Sequence, residues 1–63
     1  MSNLFYAMLA IAAARTIAQL EAALIIAESV ATDAYTEEEL AVAGLLLQTA
    51  QAKLERAVYD AQR

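Results

Sequence analysis

Two stretches of apolar residues step alternately by three and four and flank one polar break at residues 32–36. That spacing is the period of a helix face, and the single break leaves room for one reversal of direction. It predicts an all-α chain: an antiparallel two-helix hairpin with a first helix over about residues 4–31, a turn over 32–36 and a second helix over about 37–62. Nothing in the chain opposes helix. Pro is absent, Gly occurs once, and 17 Ala and nine Leu carry the highest helix propensities. The expected organisation is one helical-hairpin domain over residues 1–63.

The helix ends carry their own signals. Ser2 or Asn3 is placed to cap the first helix, and Thr36 with Glu39 has the spacing of a capping box at the start of the second. Tyr35 and Leu40 stand at the positions of a hydrophobic staple across that cap. Glu37, Glu38 and Glu39 put negative charge at the positive end of the helix dipole. Folding about Asp33 and Ala34 sets up an intrachain seam in layers: Ala27 with Leu40, Leu24 with Ala43, Leu20 with Leu47, Ile17 with Ala50, Ala13 with Leu54, Ala10 with Ala57, and Tyr6 with Ala61. Five of these seven layers oppose a large side chain to Ala, the pairing that close interdigitation of two helices requires.

The first helix carries a second apolar stripe. Leu4, Met8, Ile11, Arg15, Ala18, Ala22, Ile25 and Ser29 repeat in the same steps, with Ile26 beside them. A helix that is apolar nearly all round is normally buried, and a hairpin covers only one of its sides. The outer side of the second helix is polar, with Gln48, Lys53, Glu55, Arg56 and Asp60, interrupted by Val42, Leu45 and Leu46. The expected partner interface is therefore Leu4, Met8, Ile11, Arg15, Ala18, Ala22, Ile25 and Ile26. Met8 would pack on Ile25, Ile11 on Ala22 and Arg15 on Ala18 of a second copy, and the product is a four-helix bundle.

Chemistry-bearing constellations are sparse. There is no Cys and no His, which removes disulfides and the commonest metal ligands. Asp33 with Glu37 to Glu39 fits no calcium loop and is accounted for by capping. Glu21 and Glu28 lack the Glu-x-x-His companions of a di-metal bundle. Ser, Thr and Tyr occur without a base to activate them. Phe5, Tyr6 and Met8 near one end read as core rather than as a ligand pocket. No catalytic, cofactor-binding or metal residue is assigned, and no cofactor is expected. Arg15 interrupts an apolar stripe, either snorkelling to its rim or pairing with Glu21 or Gln19 of a neighbour. Gly44 inside the second helix costs about 1 kcal/mol against Ala, and either admits another helix or has no special role.

The expected role is a non-enzymatic assembly subunit that associates with itself in a bundle, ring, filament or virus particle. The alternative is an adaptor whose first helix docks onto a different protein. The net charge of −4 makes nucleic acid an unlikely partner. The alternating large and small layers of a short hairpin resemble the architecture of the small plasmid RNA-binding Rop proteins. That resemblance is architectural alone and implies a nucleic-acid regulator as a further alternative. Residues 4–14 are wholly apolar, but no basic stretch precedes them as in a signal peptide. A span extended to Ile26 would hold Arg15 at its centre, where insertion is costly. Membrane attachment is thus a remote alternative, and the expected location is the cytoplasm or a larger particle.

Overall fold

The computed structural model describes residues 3–63, and Ser2, one of the two expected caps, lies outside the described residues. The chain is all-helical, and its helices number three among the described residues: α1 (Asn3–Ala13), α2 (Ile17–Thr32) and α3 (Glu37–Ala61). The two-helix hairpin is therefore corrected. Its first helix is broken at Ala14, Arg15 and Thr16, and the two parts pack on each other as well as on α3.

The break is made by a capping box. Thr16 has an extended backbone (φ −114°, ψ 163°), and its hydroxyl accepts from the Gln19 N–H at 3.1 Å. The Gln19 side-chain oxygen accepts in return from the N–H groups of Arg15 (2.7 Å) and Thr16 (3.3 Å). Two of the donors that a helix start would leave unpaired, and the N–H of Arg15 just before it, are thereby satisfied. The bend also sends α1 back along α2, which seals Ala7 (0% exposed) and Ile11 (4% exposed) inside the molecule. Burying Ile11 is worth about 1.5–3 kcal/mol and a cap about 1 kcal/mol, enough together to offset the few helix bonds lost at the bend.

Groove linings fix the direction of α1. Asn3 and Leu4 border one groove with Val30 and Asp33, Tyr6 shares another with Ile25 and Ile26, and Ala10 and Ala13 share a third with Gln19, Ala22 and Ala23. The start of α1 thus lies at the end of α2, and the two are antiparallel. The α2–α3 reversal at residues 33–36 makes α3 antiparallel to α2 and parallel to α1. Lys53 of α3 ties the third side by donating from Nζ to the Ile11 carbonyl at 3.2 Å. That carbonyl lies in the last turn of α1, where the intrahelical partner is missing and the dipole favours a cation.

The core is built mostly of alanine. Its buried apolar residues are Ala7, Ile11, Leu20, Ala23, Ala27, Ala43 and Ala50. Ile11, Ala23, Ala27 and Ala50 form its centre, with Ala10, Leu24, Leu46 and Leu47 packed around them. Alanine at helix contacts lets the axes come close, toward the low end of about 8–10 Å. The molecule measures 41 × 18 × 14 Å. Its long axis is that of α3, whose 25 residues run about 37 Å against about 24 Å for α2. The last turns of α3 consequently extend past the α1–α2 bend. Leu54 and Ala57 are half-buried beside the bend, where Ala57 shares a groove with Ala14 and Leu20, while Tyr59 is exposed.

Candidate association surface

The helix packing decides which apolar side chains stay outside. On α1, Ala7 and Ile11 point inward with Leu4 and Ala10 half-buried beside them. Helical geometry then turns Phe5, Met8, Leu9 and Ala12 to the opposite side. Phe5 is 53% exposed and Leu9 52%. No charged residue occurs anywhere from Asn3 to Ala14, so this face has no polar guard of its own. On α3, Val42, Leu46, Thr49 and Lys53 share a stripe by their spacing. Lys53 bonds to α1 and Leu46 packs on the core, so that stripe borders α1. Val42 and the neighbouring Leu45 (63% exposed) continue the apolar surface from α1 onto α3.

The expected partner interface is redistributed. Ile11 is buried within its own chain, and Leu4 and Ile26 are half-buried against neighbouring helices. Only Met8, Arg15, Ala18, Ala22 and Ile25 of that set are exposed. The antiparallel run of α1 on α2 that was expected between two copies is made inside one chain. It is also rotated: Tyr6, rather than Met8, comes beside Ile25 and Ile26.

In the seam, Ile17, Leu20, Leu24 and Ala27 of α2 and Ala43, Leu47, Ala50, Leu54 and Ala57 of α3 are buried or half-buried. The layers that set Ala13, Ala10 and Tyr6 on Leu54, Ala57 and Ala61 do not form, because α1 runs back the other way. Ala13, Tyr6 and Ala61 are exposed, and Ala10 packs on the core centre instead. Leu40 is exposed as well.

At the start of α3, the Thr36 hydroxyl accepts from the Glu39 N–H at 3.1 Å. The Glu39 carboxylate accepts from the Tyr35 N–H at 3.2 Å, one residue before the position that a reciprocal box requires. The staple is absent, since Tyr35 is 94% exposed and has nothing to pack on. Sequence reasoning missed the Thr16–Gln19 box and the Lys53 tie. The box was detectable: Ala14, Thr16, Gln19 and Leu20 recur as Ala34, Thr36, Glu39 and Leu40, twenty residues on. The tie was not, because it joins residues 42 apart in the chain.

Charge and metal chemistry add little to this surface. Lys53 is spent on α1, and Arg56 pairs with Asp60 of its own helix at 3.5 Å across exposed side chains, a kind of contact worth little. A Cβ built on Gly44 meets nothing within 4 Å, so no helix of the chain approaches there. Among the described residues no group of three or more acidic side chains is gathered where it could hold a metal ion. No helix of the described residues is long and apolar enough to cross a membrane. No family model matches the sequence, and no curated protein or solved structure is significantly similar to it.

Proposed function

We propose that this chain is a non-enzymatic assembly subunit that associates with copies of itself through the outer face of α1 and the adjoining edge of α3. The observation that supports this reading is the distribution of large apolar side chains. Among the described residues, the buried apolar ones larger than Ala are Ile11 and Leu20, while Phe5, Tyr6, Met8, Leu9, Ile25 and Leu45 are all exposed. An uncharged cluster of that kind marks an interaction site.

The chemistry of the face favours a second copy as occupant. A membrane-surface helix usually carries Lys or Arg to meet anionic lipid, and α1 has neither in a chain of net charge −4. The same charge disfavours a nucleic-acid backbone, and the third helix separates this fold from a two-helix RNA-binding hairpin. A second copy brings an equally uncharged face. Half-burying Phe5, Leu9 and Leu45 on both sides is worth about 1 kcal/mol per residue. That gross gain is offset in part by the cost of association and ordering, so the expected contact is weak, toward the millimolar end.

Sedimentation equilibrium from about 10 μM to 1 mM tests the reading. The average mass is expected to rise with concentration and to fall at every concentration in Leu9→Glu. A chain monomeric throughout, or a mass indifferent to Leu9→Glu, overturns it. A monomer that still captured a defined protein through this face would mean an adaptor instead.

A further inference from the structure

The outer face of α1 has a shape as well as a chemistry. Its large side chains are Phe5, Met8 and Leu9, each about half exposed, and the exposed Ala12 closes it. Steps of three and four put Phe5 and Ala12 on one line, a turn to either side of Met8 and Leu9, which flank that line. The face is therefore tall in its first turn and hollow in its last. Two such faces fit together in one direction. Laid antiparallel, the Phe5 ring of each copy stands over the methyl group of the other's Ala12, and Met8 and Leu9 each meet their own counterpart in the middle. Large against small is the layering that lets helices close up. Laid parallel, Phe5 would stand on Phe5 and Ala12 on Ala12, which splays one end and leaves a void at the other.

The rest of the molecule suits the same direction. Lys53 reaches the Ile11 carbonyl and α1 runs parallel to α3. The level of Met8 and Leu9 therefore falls near Ala50, within about a turn of the middle of α3 (Glu37–Ala61). A two-fold axis there lays two α3 helices antiparallel with their ends nearly flush. Glu37, Glu38 and Glu39 of one copy then lie beside the Arg63 end of the other. Arg15 comes level with the start of the other copy's α1, where Asp33 and Glu39 border a groove with Asn3 and Leu4. A parallel pair would instead gather both sets of acidic residues at one end. Exposed pairs of this kind add little strength, but they select an orientation by disfavouring like charges side by side.

We propose that the association is a closed two-fold dimer: α1 packs antiparallel on α1 of a second copy, with the axis level with Met8 and Leu9. This rests on the outer-face association proposed above and fixes its geometry. A contact that pairs a face with its own copy uses both faces up, so assembly stops at two chains rather than growing into a ring or filament.

The chain has no Cys of its own, so single cysteines report the geometry in a glutathione redox buffer at about 1 mM chain. A mixture of Phe5→Cys and Ala12→Cys chains is expected to link one variant to the other in about tenfold excess over either self-linked product. In this dimer each Phe5 lies about 10 Å along the helix from its counterpart, as does each Ala12, beyond the reach of a disulfide. Leu9→Cys, beside the axis, is expected to link to itself. Ala12→Phe fills the hollow and is expected to weaken dimerisation at least about tenfold, whereas a face without this layering would gain from the added apolar area. Self-linking of Ala12→Cys to the level of the mixed product overturns the closed dimer. So does unchanged or tighter association of Ala12→Phe, or an average mass that climbs past two chains. Each of these leaves outer-face association standing wherever Leu9→Glu still disperses the assembly. A chain monomeric throughout overturns both.

Discussion

Single residues in this chain matter mostly through what they do for a backbone end. Lys53 is a surface cation on a polar helix face, yet its Nζ reaches across 42 residues of sequence to the orphan carbonyl of Ile11. Lys53→Met keeps the apolar stem that lies along the surface and removes only the donor. It is expected to destabilise the fold by about 1–2 kcal/mol, with faster amide hydrogen exchange concentrated in α1. Uniform acceleration over all three helices would mean that Lys53 does not specifically hold α1. Gly44 is the opposite case. It stands inside α3 with open space where its Cβ would lie, so Gly44→Ala should add about 1 kcal/mol of helix propensity and raise Tm by about 4–8 °C. A fall in Tm would show that another chain approaches that position.

Elements in this fold are delimited by their caps, and the two bends repeat one motif. Thr36→Ala should cost about 1 kcal/mol, as the loss of an N-cap generally does. Tyr35→Ala should stay within about 0.5 kcal/mol of the parent, because the side chain is solvated and no staple forms; a chemical denaturation series on both variants decides the point. The α2–α3 pair was legible in the sequence because Thr36 and Glu39 coincide with a gap in the apolar pattern, so periodicity and capping agree. At Thr16 and Gln19 they disagree. The three-four stepping passes through Ala13, Ile17 and Leu20 without a gap, and a reading by period fuses α1 to α2. Which tendency wins is settled far away in sequence, by the pocket among Ala23, Ala27 and Ala50 that Ile11 fills. The apolar second stripe was legible for the same reason that its destination was not. Its excess is visible in the residues, but whether a second chain or a folded-back α1 covers it depends on that bend. Ile11 was thus assigned outward and lies inside, while Phe5 and Leu9, which belonged to neither stripe, form the face left open.

The whole molecule is a thin bundle whose long third helix outruns the other two, and its stability and the self-association proposed for it draw on the same small stock of apolar area. Two kinds of contact between copies make opposite predictions about solvent. The ends differ in charge: Glu28, Asp33 and Glu37 to Glu39 cluster near the α2–α3 bend, and Lys53, Arg56 and Arg63 lie toward the other end. End-to-end pairing of these charges would weaken steeply with salt, since interactions between exposed charges are screened beyond about 8–10 Å at physiological ionic strength. However, Lys53 already bonds to Ile11 and Arg56 to Asp60 within one chain, which leaves Arg15 and Arg63 as the main cations for such pairing. The outer face of α1 carries no charge from Asn3 to Ala14, and apolar burial is strengthened by salting-out ions and by warming from near 0 °C. Association should therefore hold or tighten when sodium sulfate is raised from about 0.05 to 0.5 M, and tighten again between about 5 and 25 °C, as read by sedimentation at fixed protein concentration. Dissociation of the assembly by sodium chloride over the same range would instead locate the contact at the charged ends and leave Phe5, Leu9 and Leu45 without a role in it.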